Sequence, residues 1–188
     1  MNFDHFDFLA PFYDRVIPFS CLEKMLALLA LPAPVTLLDA GGGTGRVAKA
    51  LQPHLASVVV ADLSAGMLAQ ARQKGLAAAS AVTELLPFPA ESFERVLMVD
   101  ALHHVFNQSQ TVRELYRVLK PGGRLVIEEP DLRVFAVKLI ALAEKVALMR
   151  SHFLSPPQIA ALFPADARLQ LEAADGNAWL IVEKPEEK

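Results

Sequence analysis

The sequence predicts an α/β chain in which helices cover both faces of a mostly parallel sheet. Two observations carry this. Short apolar runs alternate with helical patterns along the chain, the order expected of successive βαβ units. One compact apolar run, residues 35–39, leads straight into a cluster of glycines and then into a helical pattern. At 188 residues, one domain with a full hydrophobic core is expected over 1–188, with little left for a second.

The elements follow in order. A helix is expected over residues 20–30, opened by Ser20-Cys21-Leu22-Glu23 as a capping box and stopped by Pro32 and Pro34. Residues 35–39 form the first strand, and a helix runs over 45–51 beyond the glycines. The second strand, 57–61, ends at Asp62. Ser64 then caps a helix that Gly75 ends. Strands are expected over 77–82 and 95–99. Residues 111–119 form an amphipathic helix with Val112, Leu115, Tyr116 and Leu119 on one face. Pro121-Gly122 suits the centre of a type II turn leading into a strand over 124–128. A long amphipathic helix over 132–150 comes next, followed by a short helix opened by Ser155-Pro156-Pro157-Gln158. Residues 168–173 and 179–182 read as a closing hairpin around Asp175-Gly176-Asn177.

Composition narrows the function. The formal charge is −3 and the Lys and Arg residues are scattered, so the basic face that phosphate neutralisation needs is missing and no nucleic-acid partner is expected. Cys21 is the only cysteine, which excludes an internal disulfide and a thiolate metal cluster and agrees with a reducing, cytoplasmic setting. The start Met1-Asn2-Phe3-Asp4-His5 lacks the basic end and apolar run of a signal peptide. The greasiest stretch, 134–149, is interrupted by Lys138, Glu144 and Lys145 and is too short to span a bilayer.

The most informative stretch is Leu37-Leu38-Asp39-Ala40-Gly41-Gly42-Gly43-Thr44-Gly45-Arg46. Glycines between a buried strand and a helix let the backbone turn tightly and let a ligand approach main-chain amides. An anionic group, a pyrophosphate or an amino-acid carboxylate, suits such a site. The dinucleotide fingerprint fails, because counting from Gly41 its sixth position is Arg46. Gly41, Gly43 and Gly45 instead give a G-x-G-x-G spacing. Asp62, at the end of the neighbouring strand, stands where a carboxylate accepts both hydroxyls of a ribose, or else caps the turn at Ser64.

The glycine loop, Asp62, Leu86-Pro87-Phe88, Val99-Asp100-Ala101-Leu102-His103-His104 and Leu115-Tyr116-Arg117-Val118-Leu119-Lys120-Pro121-Gly122-Gly123 together resemble class I S-adenosylmethionine-dependent methyltransferases. The nearest subgroup is the broad type 11 group that includes ubiquinone and menaquinone biosynthesis C-methyltransferases. The resemblance covers roughly residues 6–131, and five motifs in order are far more specific than one glycine loop. It implies a Rossmann-like, doubly wound seven-stranded sheet of order 3-2-1-4-5-7-6 with an antiparallel C-terminal strand. It implies S-adenosylmethionine as cofactor and S-adenosylhomocysteine as product. Asp39 would orient the methionine amino group, and Gly41, Gly43 and Gly45 would line methionine and ribose. Asp62 would hold the ribose and Leu63 would pack on adenine. The family often places an acid near the adenine amino group; that position is Val82 here, so the resemblance leaves Thr83, Glu84 or backbone groups to read adenine. Asp100 and Tyr13 would line the same pocket. Phe6, Leu9, Ala10 and Tyr13 also share one helical face, which packing alone explains.

Methyl transfer from a sulfonium is an in-line displacement from an activated leaving group, so the protein chiefly aligns the reactants and excludes water. No metal is required, and no dense His/Asp/Glu ligand cluster appears. His103 and His104 follow the fourth strand at the carboxyl end of the sheet. Either is a candidate base or orienting group, His104 being the first choice. His152 is a further pocket candidate. Glu128, Glu129 and Asp131 read as acceptor contacts or as a solvated strand end. Residues 1–30 read as a helical cover and 132–165 as a variable substrate lid whose apolar side chains suit a small lipophilic or aromatic acceptor. Two rivals remain at this point: a nicotinamide-dependent oxidoreductase, and a non-catalytic S-adenosylmethionine-binding regulatory module.

Overall fold

The computed structural model describes residues 10–131 and 152–186. Its seven strands are β1 (Thr36–Ala40), β2 (Ser57–Asp62), β3 (Ala77–Ser80), β4 (Phe93–Val99), β5 (Leu119–Pro130), β6 (Arg168–Ala174) and β7 (Asn177–Glu183). They form one sheet of order β3-β2-β1-β4-β5-β7-β6. The pairs β1–β2, β1–β4, β2–β3 and β4–β5 are parallel, whereas β7 is antiparallel to both β5 and β6. The described helices are α1 (Tyr13–Val16), α2 (Leu22–Leu28), α3 (Arg46–Leu51), α4 (Ala65–Gln73), α5 (Gln108–Val118) and α6 (Pro156–Ala160).

Period-two alternation in the central strands assigns neighbouring residues to opposite faces. Leu38 and Ala40 of β1, with Val96 and Met98 of β4, pack against Val112 and Leu115 of α5 and Ile159 of α6. Leu37 and Leu97 turn the other way, onto Met25 of α2, Val47 and Leu51 of α3 and Leu68 of α4. Both faces are apolar because both are covered. That is why these strands read as continuous hydrophobic runs.

Local signals held where a side chain finds a backbone donor. The Ser64 hydroxyl accepts from the Met67 amide at 3.1 Å and starts α4, and Gly75, at φ +77°, takes the chain out of it. Helix α6 starts where Ser155-Pro156-Pro157-Gln158 predicted, and Ser155 and Gln158 add a capping box there. Asp175 and Gly176, both at positive φ, make a two-residue hairpin between β6 and β7.

Three expectations are corrected. The capping box at Ser20 does not form: α2 opens from Cys21 with no side-chain cap. Helix α5 starts at Gln108, three residues before the expected position, because the Asn107 side chain accepts from the Gln110 amide at 3.0 Å. Pro121-Gly122 does not separate two elements but lies within β5, where the pairing with β4 shifts register between Phe93 and Arg95. The expected helix over 132–150, and Phe6 and Leu9 of the expected N-terminal face, lie outside the described residues.

Candidate active site

A doubly wound sheet leaves its crevice at the carboxyl ends of the parallel strands, where the order reverses. Here β1, β2, β4 and β5 deliver Asp39, Asp62, Asp100, Glu128 and Glu129 to that end. Helix α3 answers with Arg46. Its guanidinium is 11% exposed and donates to Asp100 at 3.2 Å. Burial pushes the Asp100 carboxyl up, with the Arg46 charge opposing. Asp100 sits at φ +52° and turns the chain from β4 into the short 3₁₀ segment Leu102–His104.

Asp39 is the most unusual group. It is 1% exposed, and neither carboxylate oxygen has a hydrogen-bond partner among the described residues. Burial raises its carboxyl to about 7. The Arg46 charge opposes this, as does the Ala48 amide, which leans toward the carboxylate without completing a hydrogen bond. A buried, unpaired carboxylate is costly and calls for a cationic partner. Gly42, absent from the sequence-derived set, makes room for it: a Cβ there would stand 2.5 Å from Asp39 Cγ.

The loop itself departs from expectation in an instructive way. The Gly41 and Gly42 amides donate to Ala61 carbonyl oxygen at 2.7 and 3.3 Å, the Gly45 amide to Gly42 at 2.9 Å, and the Gly43 amide to Asp62 Oδ2 at 2.8 Å. These four donors are spent inside the protein, so they do not present an anion cradle. What the loop offers is a narrow backbone between two carboxylates. The three expected glycines also divide by role. All have positive φ, but a Cβ on Gly43 would lie no closer than 3.8 Å to any neighbour, facing Met67 and Asp62. On Gly45 it would lie 2.4 Å from Leu76 Cδ1, and on Gly41 2.7 Å from Ala101 Cβ. Gly43 therefore fronts open space, and Gly45 serves the close packing of the start of α3 against Leu76, Ala71 of α4 and Val60 of β2.

Asp62 bridges two segments. Oδ2 accepts from Gly43, and Oδ1 accepts from the Ser64 amide at 2.8 Å. Leu63 beside it is 66% exposed, and Val82 beyond the end of β3 is 39% exposed, giving an apolar wall next to an acid. The Thr83 hydroxyl shares a hydrogen bond with Thr111 at 3.1 Å, and Glu84 Oε1 accepts from the Phe106 and Asn107 amides at 2.9 and 3.0 Å. Thr83 thus ties to α5 itself and Glu84 braces the loop before it.

Tyr13 lies half-buried in α1; burial pushes its hydroxyl up, with the Arg46 charge opposing. Asp14, which sequence reasoning did not place in the site, ties α1 to the loop. It accepts from the Thr44 hydroxyl and pairs with Lys74, whose ammonium also donates to Thr44 carbonyl oxygen at 2.7 Å.

The histidines separate. His103 is 3% exposed, and its Nδ1 lies 2.6 Å from Glu129 Oε2. His104 is pushed down to about 3, first by burial and then by the His103 charge. His152 is exposed and meets His103 through the backbone, its amide donating to His103 carbonyl oxygen at 2.7 Å. The solvated strand end expected at Glu128, Glu129 and Asp131 is corrected, for each is 4% exposed. Glu128 accepts from Trp179 Nε1 at 2.9 Å and from Asn177 Nδ2 at 3.1 Å. The hairpin signal near Asp175, with the strand order that the resemblance implies, is what led to β7 returning to cover β5. Among the described residues no group of three or more His, Cys, Asp or Glu is placed to hold a metal, and no helix is long and apolar enough to cross a membrane.

The strand order, the glycine turn after β1 and the acid after β2 are those of the Rossmann-like fold of class I S-adenosylmethionine-dependent methyltransferases. Residues 38–127 match the family described as a methyltransferase domain, and S-adenosylmethionine is the cofactor that this family and fold imply. Among particular proteins, the chain is 36% identical over 104 residues to the ubiquinone/menaquinone biosynthesis C-methyltransferase UbiE of Coxiella burnetii, covering 50% of this chain and 42% of that one. The corresponding protein of Geotalea daltonii is 36% identical over 144 residues, covering 66% of this chain and 60% of its own. The chain thus spans less than two thirds of these curated relatives. An S-adenosylmethionine-dependent methyltransferase of Thermotoga maritima has the same fold, with a TM-score of 0.79 at 24% identity, covering 95% of this chain and 98% of that one.

The site suits this cofactor. The unpartnered Asp39 carboxylate matches the amino group of its methionine part, and Asp62 with Leu63 matches a ribose beside an adenine. An ammonium answers the one buried charge that the described residues leave unmatched.

Proposed function

We propose that this chain binds S-adenosylmethionine across the carboxyl ends of β1 and β2 and transfers its methyl group to a small, lipophilic or aromatic acceptor beside Leu102–His104. The observation that carries the reading is Asp39, a fully buried carboxylate without a partner beneath a glycine turn. The spent glycine amides count against a nicotinamide dinucleotide, whose pyrophosphate needs such donors. Likeness to quinone-pathway C-methyltransferases supports an aromatic, apolar acceptor.

In this reading S-adenosylmethionine, when bound, supplies a methyl group on a positively charged sulfur that is already a good leaving group. Asp39 holds its ammonium, directly or through a water, and is kept ionised by it. Asp62, already oriented by the Gly43 and Ser64 amides, accepts the ribose hydroxyls. Leu63 packs on adenine, with Thr83 tied to α5 and Glu84 bracing the loop before it. Tyr13 covers the methionine end, held in place by the Asp14–Thr44–Lys74 contact. Asp100 fixes Arg46 at the pocket wall. His103 serves as the proton acceptor and His104 as a neutral hydrogen-bonding neighbour, since a group pushed down to about 3 is a weak base at neutral pH. This reverses the order in which the sequence ranked them. Residues 1–188 are read as one domain, with 132–165 as substrate lid. The cytoplasmic setting stays part of the proposal, resting on the lone cysteine.

A thermal-shift series with S-adenosylmethionine, S-adenosylhomocysteine and NADH tests the cofactor. A specific ligand at a hundred times its Kd adds ~2.7 kcal/mol of stability. The first two compounds should shift the protein and NADH should not, and Asp62→Ala should abolish both shifts. An undiminished shift in that variant overturns the ribose assignment.

A further inference from the structure

The sheet ends in two edge strands, and they are finished differently. β3 has four residues, and the Arg72 guanidinium of α4 donates to its Ala78 carbonyl oxygen at 3.1 Å. β6 has seven residues, and among the described residues no side chain bonds its backbone. Its two-residue turn joins Ala174 to Asn177. Alternation then aims the backbone groups of Arg168, Gln170 and Glu172 at β7 and those of Leu169, Leu171 and Ala173 outward. Leu169 and Leu171 are 41% and 40% exposed, on the face where their β7 partners Val182 and Leu180 join the core with Ile159 of α6. On the other face Arg168 is exposed and makes no ion pair among the described residues. Glu172 Oε2 pairs with Lys24, and its Oε1 accepts from Gln170 Nε2 at 3.1 Å. An open edge of this kind is a template for a further strand.

The edge is complementary to itself. Its outward groups sit on odd-numbered residues, so an antiparallel second β6 bonds only where odd residues face odd ones. Centred on Gln170, that pairing sets Leu169 against Leu171 of the second copy, each pair exchanging both of its backbone hydrogen bonds. It also sets Arg168 against Glu172 of the second copy, in the non-hydrogen-bonded positions where side chains lie closest. Centred on Leu171 instead, the strands would set Arg168 against Ala174 and leave its charge unmatched. We propose that the chain forms a two-fold dimer in which β6 pairs antiparallel with β6 of a second copy, about an axis at Gln170, through the Leu169–Leu171 and Arg168–Glu172 contacts. The leucines then carry the apolar layer of one sheet into the next, and Arg168 gains a counter-charge. The axis stands normal to the sheet, so the two crevices open in opposite directions. The seam is short for a stable interface, which places the Kd in the micromolar range. The inference is independent of the methyltransferase reading.

The test is sedimentation velocity of the full chain from about 1 to 200 μM. The mass should rise with concentration from that of the 20.5 kDa chain toward twice that value. Leu171→Pro removes an outward amide but no bond to β7, and should hold the chain monomeric throughout. Arg168→Glu sets like charges across the seam and should raise the Kd about tenfold or more, and Arg168→Glu with Glu172→Arg should restore it. In a Cys21→Ser background, Gln170→Cys should form an intermolecular disulfide on mild oxidation, because the axis brings its two Cα atoms within disulfide reach. A wild type still monomeric at the top of the range overturns the proposal. So does a dimer that Leu171→Pro leaves intact, a charge reversal that the double variant fails to rescue, or faster cross-linking by Leu171→Cys than by Gln170→Cys. The wild-type mass decides even if a variant does not fold. Loss of the wild-type thermal shift with S-adenosylhomocysteine would count against the methyltransferase reading alone, so the two failures are distinguishable.

Discussion

Replacing Asp39 by Asn should stabilise the ligand-free protein while removing cofactor binding. The wild-type carboxyl is raised from an ordinary 3.8 to about 7 by burial. Folding therefore favours its protonated form. The sign follows: stability is fully present below the unfolded value and is lost as pH rises through the folded one, with no further loss above it. A rise of about 3 pH units corresponds to about 4 kcal/mol, and the part lost between pH 5 and 8 is about 3 kcal/mol. Asn does not titrate, so the stability difference, variant minus wild type, should grow by that amount across this window. For a chain of this size it appears as a melting-temperature difference that widens by roughly 6–12 °C. An unmatched Asn amide costs about 1–3 kcal/mol at every pH, which moves the offset and leaves the slope alone. Other titrating groups cancel in the difference. The assay is thermal unfolding of both proteins from pH 5 to 8.5, with and without S-adenosylhomocysteine. A pH-independent difference, or one that narrows toward high pH, refutes the reasoning. Saturating ligand should reverse the order at pH 8, because the ammonium pairs with the wild-type carboxylate only.

The glycines should separate by role. Gly45→Ala places a Cβ 2.4 Å from Leu76 Cδ1 at φ +70° and should cost about 2–4 kcal/mol, read as a lower melting temperature. Gly43→Ala meets open space and should cost only the backbone strain, about 1–2 kcal/mol, while weakening S-adenosylhomocysteine binding. Equal destabilisation of the two variants would contradict this division. His104, pushed down to about 3, should show flat ring resonances from pH 5 to 8, and a titration inside that range would remove the argument for its neutrality.

Periodicity and punctuation made much of the fold legible in the sequence. Apolar runs marked the strands, Ser64 and Ser155 announced their helices, and Asp175-Gly176 announced the hairpin. The misses are local. Ser20 looked like a cap, but its helix opens one residue later without one. Pro121-Gly122 keeps the positive φ at Gly122 that a type II turn needs, but it lies inside the strand Leu119–Pro130 rather than ahead of it. Asn107, not read as a cap, starts α5 three residues early.

The site divides along the same line. Asp39, Asp62 and the glycines were readable because the chain holds them within a few residues of a strand end, where backbone geometry alone predicts a crevice. Arg46 was read only as a break in a dinucleotide fingerprint, and Glu129 as one of several acids at a strand end. Their roles depend on burial and on partners 54 and 26 residues away. Which nitrogen of a histidine carries a proton, and whether a carboxylate is buried without a counter-charge, are decided by groups that meet only when β1, β4 and β5 are laid side by side. Sequence sets which chemical groups stand near a strand end. The dielectric around them and the charges facing them come from packing, and those two quantities decide what the groups do.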